Sequence, residues 1–166
     1  KGATAEVTYW TMGSLASAKW ENVVVILPII LVGTLIFWTQ FRNLNLMLLG
    51  DEASITLGTD LHKVRSLYMI LASVMIGFSV YAAGTIGFVG LIIPHVIRML
   101  FGTDHKRMIP LCALTGAIFL IWADVACRVI LRNAEMPIGI LVSIIGAPCF
   151  IYLMVKRSYG FGGGQS

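Results

Sequence analysis

Between Val23 and Trp38 the chain reads VVVILPIILVGTLIFW, without a single charged side chain. As a helix rising about 1.5 Å per residue, this run with its flanks reaches close to the ~30 Å hydrocarbon thickness of a bilayer. Four more apolar runs follow, at Leu67 to Ala83, Phe88 to Leu100, Ile109 to Ala126 and Ile138 to Val155, while the ionisable residues gather in the joints between them. A composition of 58% hydrophobic and 12% charged residues, with a mean hydropathy of +0.88, lies far outside the range of water-soluble domains. Lipid is the solvent these runs expect.

In lipid every backbone polar group must find an internal partner, which a helix supplies within one segment. The period-two alternation of a membrane barrel is absent. The expected fold is therefore an all-α integral membrane bundle of about five transmembrane helices, with short cytoplasmic helices between them. The third run is too short to cross alone, contains Pro94 and His95, and follows Gly84, Gly87 and Gly90. It reads as a short or bent helix buried among its neighbours.

Cytoplasmic loops carry the excess of Lys and Arg. With five alternating segments, Arg42, Lys63, Arg65, Arg98, Lys106, Arg107, Lys156 and Arg157 fall on one side; Lys1, Lys19, Arg128 and Arg132 fall on the other. The richer side is the expected cytoplasm, with the C-terminus inside. Basic residues at helix ends suit anionic headgroups, so the net charge of +4 calls for no nucleic-acid partner. The chain divides into a periplasmic segment (1–21), a membrane bundle (22–155) with a cytoplasmic loop at 43–66, and a cytoplasmic tail (156–166) whose residues Tyr159 to Ser166 read as a flexible end. Lys1 to Trp20 lacks the pattern of a signal peptide, and the missing initiator Met is what a fragment would show.

The long joint from Asn43 to Ser66, NLNLMLLGDEASITLGTDLHKVRS, places Leu46, Leu49, Ala53 and Leu57 at helical spacing, interrupted by Gly50 and Gly58. Two short amphipathic helices broken near Gly58 are expected there, or else a loop skimming the headgroups. Cys112, Cys127 and Cys149 are isolated within apolar runs and suit small buried hydrophobes. No P-loop, HExxH or GxSxG motif is present, so ATP-driven work needs a separate ATPase.

Several segments resemble the permease subunits of ABC importers for iron–siderophores, haem and cobalamin, the FecCD family. LGDEASITLG at Leu49 to Gly58 is similar to the family's cytoplasmic loop. GTIGFVGLIIPHVIRMLFGTDHKRMIP at Gly84 to Pro110 is similar to the signature around its eighth helix. ADVACR at Ala123 to Arg128 matches the end of the ninth, and EMPIGILVSIIGAPCFIYLM at Glu135 to Met154 the tenth. YWTMGSLASAKW at Tyr9 to Trp20 more weakly resembles the segment before the sixth. Family members have about twice this length and ten spans, so the resemblance covers a C-terminal half.

The resemblance implies a dimer with a second permease copy, two cytoplasmic ATPases that bind ATP and Mg, and a periplasmic or lipid-anchored binding protein, all in a bacterial or archaeal inner membrane. No cofactor is expected on this chain. The family's coupling helices would fall on Asp51 to Ser66, with Glu52, Asp60, His62 and Arg65 as polar contacts, Leu57 and Leu61 as apolar anchors, and Asp51 and Gly58 within the same element. Arg128, and more weakly Arg132, would meet the docked binding protein. The local alternatives are an i,i+4 pair between Arg128 and Asp124, and snorkelling for Arg132. Gly139, Ser143 and Gly146 form a small-residue stripe that is read either as tight packing or as a wall of the translocation pathway. His95 is a candidate relay or ligand, with a hydrogen bond holding the short helix as the plainer reading; His62 and His105 are expected in solvent. Besides the importer permease, a small independent channel or scaffold and a redox or proton-handling subunit built on His95 remain open at this point.

Overall fold

The computed structural model describes residues 2–15, 18–50, 61–130 and 136–162. Regular structure among them is entirely helical: α1 (Gly2–Met12), α2 (Trp20–Thr39), α3 (Phe41–Met47), α4 (Leu61–Ala83), α5 (Val89–Phe101), α6 (His105–Ile130) and α7 (Ile138–Gly162). Four of these are long and apolar enough to cross a membrane: α2, α4, α6 and the Ile138–Lys156 part of α7. At 13 residues α5 extends roughly 20 Å, short of a bilayer core, as its sequence predicts.

The spans are apolar around their whole circumference, so most of their surface faces outward; in α2 only Gly33 is buried. There the Met75 sulfur of α4 occupies the space that a side chain at residue 33 would need. Below this contact the Phe37 and Tyr68 rings meet at 5.7 Å. Helix α5 packs on both α6 and α7. Ile93 and Ile97 are its buried residues. His95 is half-buried on α5, but no hydrogen bond of its ring is found among the described residues. Among the described residues, the short helix is held by apolar packing.

The best-buried cluster lies at one end of the bundle, where α6 finishes and α7 begins: Ala123, Cys127, Ile138, Leu141 and Val142, flanked by Phe88 and Phe119. Ile138 and Val142 are each 1% exposed. Since lipid is as apolar as the core, truncation there loses mainly packing rather than transfer energy. Ile138→Ala is expected to cost about 2 kcal/mol, the low end of the range for buried aliphatic truncations, measured as lost thermal stability in detergent.

Three sequence expectations need correction. The joint at 43–66 is described at its two ends only, and neither end is a separate helix of the expected pair. Its first part belongs to α3, which follows α2 after the single turn residue Gln40, and its last part, Leu61 to Ser66, forms the first turns of α4. Leu61, the first residue of α4, is 5% exposed. The tail is likewise not irregular from Tyr159, since α7 continues through Gly162. Of the cysteines, Cys127 is buried, Cys112 half-buried and Cys149 exposed, and all three are free thiols.

Candidate functional site

At the α1 end, the chain leaving α1 is threaded between the end of α4 and the start of α7. The Trp10 indole N–H donates to the Tyr81 carbonyl (3.1 Å) and the Thr85 hydroxyl to the Thr11 carbonyl (2.9 Å). Backbone bonds run both ways from residues 13 and 14: Ser14 N–H donates to the Ala83 carbonyl at 2.8 Å, and Gly139 N–H to the Gly13 carbonyl at 3.2 Å. Lipid cannot satisfy the backbone groups of an irregular segment, so this stretch is held by mutual pairing.

Small residues make the threading possible. A side chain on Gly139 would strike the Met12 carbonyl oxygen, and one on Gly146 would meet the Phe88 ring. Phe88 precedes α5 at φ +65°, a left-handed conformation that few aromatic residues adopt, and packs edge-on against Phe150 at 6.4 Å. Beside the junction lies a cleft of about 490 Å³ whose lining includes Thr11, Met12, Thr85, Gly139, Ile140 and Ser143. The Ser143 hydroxyl donates to the Gly139 carbonyl (2.7 Å). Among the described residues the lining is uncharged, and its hydroxyls and backbone groups offer contact and hydrogen bonding. Of the predicted small-residue stripe, Gly139 and Ser143 border the cleft, while Gly146 lies beneath Phe88.

Near the same end, Arg128 Nε donates to Asp124 Oδ2 at 3.1 Å, the i,i+4 pair the spacing predicts. Asp124 is 25% exposed and Arg128 65%, so the pair neutralises the more buried carboxylate and still leaves the guanidinium at the surface. Arg132 lies outside the described residues.

The opposite, α3 end is polar. The Tyr68 hydroxyl donates to Gln40 Oε1 (2.6 Å) and Asn43 Nδ2 donates to the same oxygen (3.0 Å). The Trp38 indole donates to the Lys106 carbonyl at 2.9 Å. Asn45 Nδ2 donates to Asp104 Oδ1 at 2.9 Å, and Asn45 Oδ1 accepts the His105 backbone N–H at 2.9 Å. Asp104 also caps α6, accepting the Lys106 N–H at 3.1 Å. His105 is therefore half-buried and bonded, not solvated as expected. The Asn45 amide, then the Lys106 N–H, hold the Asp104 carboxyl below its ordinary range. A depressed carboxyl stabilises the fold above its unfolded pKa and loses that contribution only as pH falls through the lowered folded value, so the cap stays ionised at neutral pH.

Leu61, His62 and Arg65 lie on the first two turns of α4, buried, exposed and half-buried in that order. Asp51, Glu52, Leu57, Gly58 and Asp60 lie outside the described residues. Asn45, Asp104 and His105 are the residues that the sequence reading missed. The N-cap was visible as an Asp just before a helix, but nothing local marks its partner 59 positions away. Among the described residues no three His, Cys, Asp or Glu side chains stand close enough to share an ion.

Four apolar spans, a short helix packed on two of them and two hydrogen-bonded ends define a polytopic α-helical membrane protein. The chain belongs to the FecCD transport family, whose family model matches residues 1–156. It is 42% identical over 149 residues to the cobalamin import system permease protein BtuC of Halobacterium salinarum, covering 90% of this chain and 40% of that protein. The hemin transport system permease protein HmuU of Yersinia pestis is 39% identical over 152 residues, with 92% and 46% covered, and the permease protein YvrB of Bacillus subtilis 40% over 154, with 93% and 44%. The chain thus spans less than half the length of these relatives. A solved inward-facing structure of a metal-chelate-type ABC transporter superposes with a TM-score of 0.86 at 35% identity, over 92% of this chain and 49% of that one.

Proposed function

We propose that this chain forms half of the permease subunit of an ABC importer that carries a metal chelate, of the iron–siderophore, haem or cobalamin class, inward by alternating access. The observation that carries this reading is the likeness to a metal-chelate transporter at a TM-score of 0.86 over 92% of the chain. In it, the α3 end with residues 43–66 faces the cytoplasm, as its share of Lys and Arg argues, and the C-terminus lies on the same side. Two ATPases holding ATP and Mg engage the segment around 51–60, where closure of the nucleotide sandwich becomes a tilt of the helices. A second permease copy completes the passage in the inner membrane. A binding protein docks at the α1 end, beside Arg128. This chain itself binds no cofactor.

Reconstitution tests the proposal: the full-length permease with its ATPase in liposomes should show hydrolysis stimulated by binding protein loaded with chelate. Failure of any ATPase to co-purify would sink it. Arg128→Glu is expected to weaken binding-protein docking about tenfold, because a rim charge is reversed, whereas Asp124→Asn, which releases the arginine from its partner, should change docking less than threefold. Affinity of immobilised permease for the loaded binding protein reads both, and equal effects would place the role of Arg128 within the fold.

A further inference from the structure

We infer that Asn45 is a positioning residue that clamps α3 to the start of α6, so that the short helix leading into residues 51–60 moves with α6 as one body. This rests on the importer reading and deepens it by naming the element through which force leaves the ATPase-facing segment.

At seven residues α3 is too short to hold a direction by its own helical bonds. Its orientation comes from what grips it. Gln40 joins it to α2, and Asn45 joins it to α6 using both ends of one amide. The orientation of that amide follows from its partners: Oδ1 faces the His105 backbone N–H, which can only donate, leaving Nδ2 for the Asp104 carboxylate. His105 Nδ1 lies 2.7 Å from the same Oδ1 and must carry its proton there. One side chain on α3 is thereby bonded to the N-cap residue of α6 and to its first helical residue.

Helix α6 is 26 residues long and carries Asp124 and Arg128 in its last two turns. It also contributes Ala123 and Cys127 to the core at the α1 end. A displacement received at 51–60 therefore has a route through α3, the Asn45 clamp and helix α6, across its interior Pro110, to the surface beside Arg128. Lys106 Nζ over the Phe41 ring at 5.6 Å and the Asn43 bond to the Tyr68 hydroxyl at 3.3 Å also hold α3, and the Asn45 amide adds the hydrogen bonds that fix it to the N-terminus of α6. The bonds are near the surface and few, so the bundle does not depend on them to fold.

The test exchanges the two partners. Asn45→Asp keeps an acceptor for His105 but sets two carboxylates at hydrogen-bond distance, which repel; Asn45→Asp with Asp104→Asn restores a donor and an acceptor in reversed roles. In liposomes holding the full-length permease, its ATPase and the binding protein, chelate transported per ATP hydrolysed is measured. The single variant is expected to keep its ATP hydrolysis and to lower that ratio at least threefold. The double variant should return to within twofold of the unaltered protein. An unchanged ratio in Asn45→Asp overturns the clamp, as does a double variant no better than the single, whether the single assembles or not. Absence of ATPase engagement in the unaltered protein would instead bring down the importer reading and the clamp with it.

Discussion

Gly84→Ala is expected to lower the thermal stability of the full-length permease in detergent by roughly 5–10 °C. Two effects act together at this position. Gly84 has φ +75°, where an L side chain costs about 1–2 kcal/mol. Its added Cβ would also strike the Trp10 carbonyl oxygen and lie 3.2 Å from the Gly13 Cα. The obstructing atoms are backbone and have no rotamer to yield. Moving them apart would break the Ser14–Ala83 and Trp10–Tyr81 bonds that tie α1 to α4. Overpacking adds about 1–3 kcal/mol, so the total is a large share of a stability of ~5–15 kcal/mol. At about 2–4 °C per kcal/mol, the shift should be plain in a melting curve; an unchanged melting temperature would mean that the junction is not closed in the working protein.

The helices were legible because hydropathy is enough to place a membrane span. The run beginning at Val23 carries its own evidence, and α2 extends it only by Trp20 to Asn22 and by Thr39. Boundaries at the α3 end were less legible for a definite reason. Leu61, His62, Lys63 and Arg65 read as part of a separate amphipathic element, yet four turns of apolar sequence behind them draw the segment into α4, and Leu61 is buried there. Propagating an existing helix costs less than nucleating a separate one. The same logic carries α7 past Tyr159 to Gly162.

Side-chain partners were legible only when local. Asp124 and Arg128 are one helical turn apart, and the pair formed as spaced. Asn45 and His105 are 60 positions apart, Thr85 and Thr11 are 74, and no periodicity announces such contacts. They matter because lipid leaves polar atoms no alternative partner, so the ends of the bundle settle which polar groups meet, while the apolar faces settle little. That division explains why the class of protein was visible from composition and the coupling device was not.

The small-residue stripe on α7 can now be divided into a packing site and a cleft site, and substitutions should separate them. Gly139 is buried with its N–H on the Gly13 carbonyl, and an added Cβ would strike the Met12 carbonyl oxygen with the Thr85 oxygen at 3.4 Å. Gly139→Ala should therefore push α7 off α1, cost roughly 2–3 kcal/mol and lower the melting temperature by about 5 °C or more, since backbone obstructs it on two sides. Ser143 sits one turn on, half-buried at the cleft, with its hydroxyl satisfied by its own helix. Ser143→Ala removes an i,i+4 back-bond that contributes little to a helix, so the melting temperature should stay within about 2 °C. If the cleft borders the path of the chelate, Ser143→Ala or the bulkier Ser143→Leu will change transport while stability holds; if the stripe only packs helices, transport will fall in step with melting temperature at both positions.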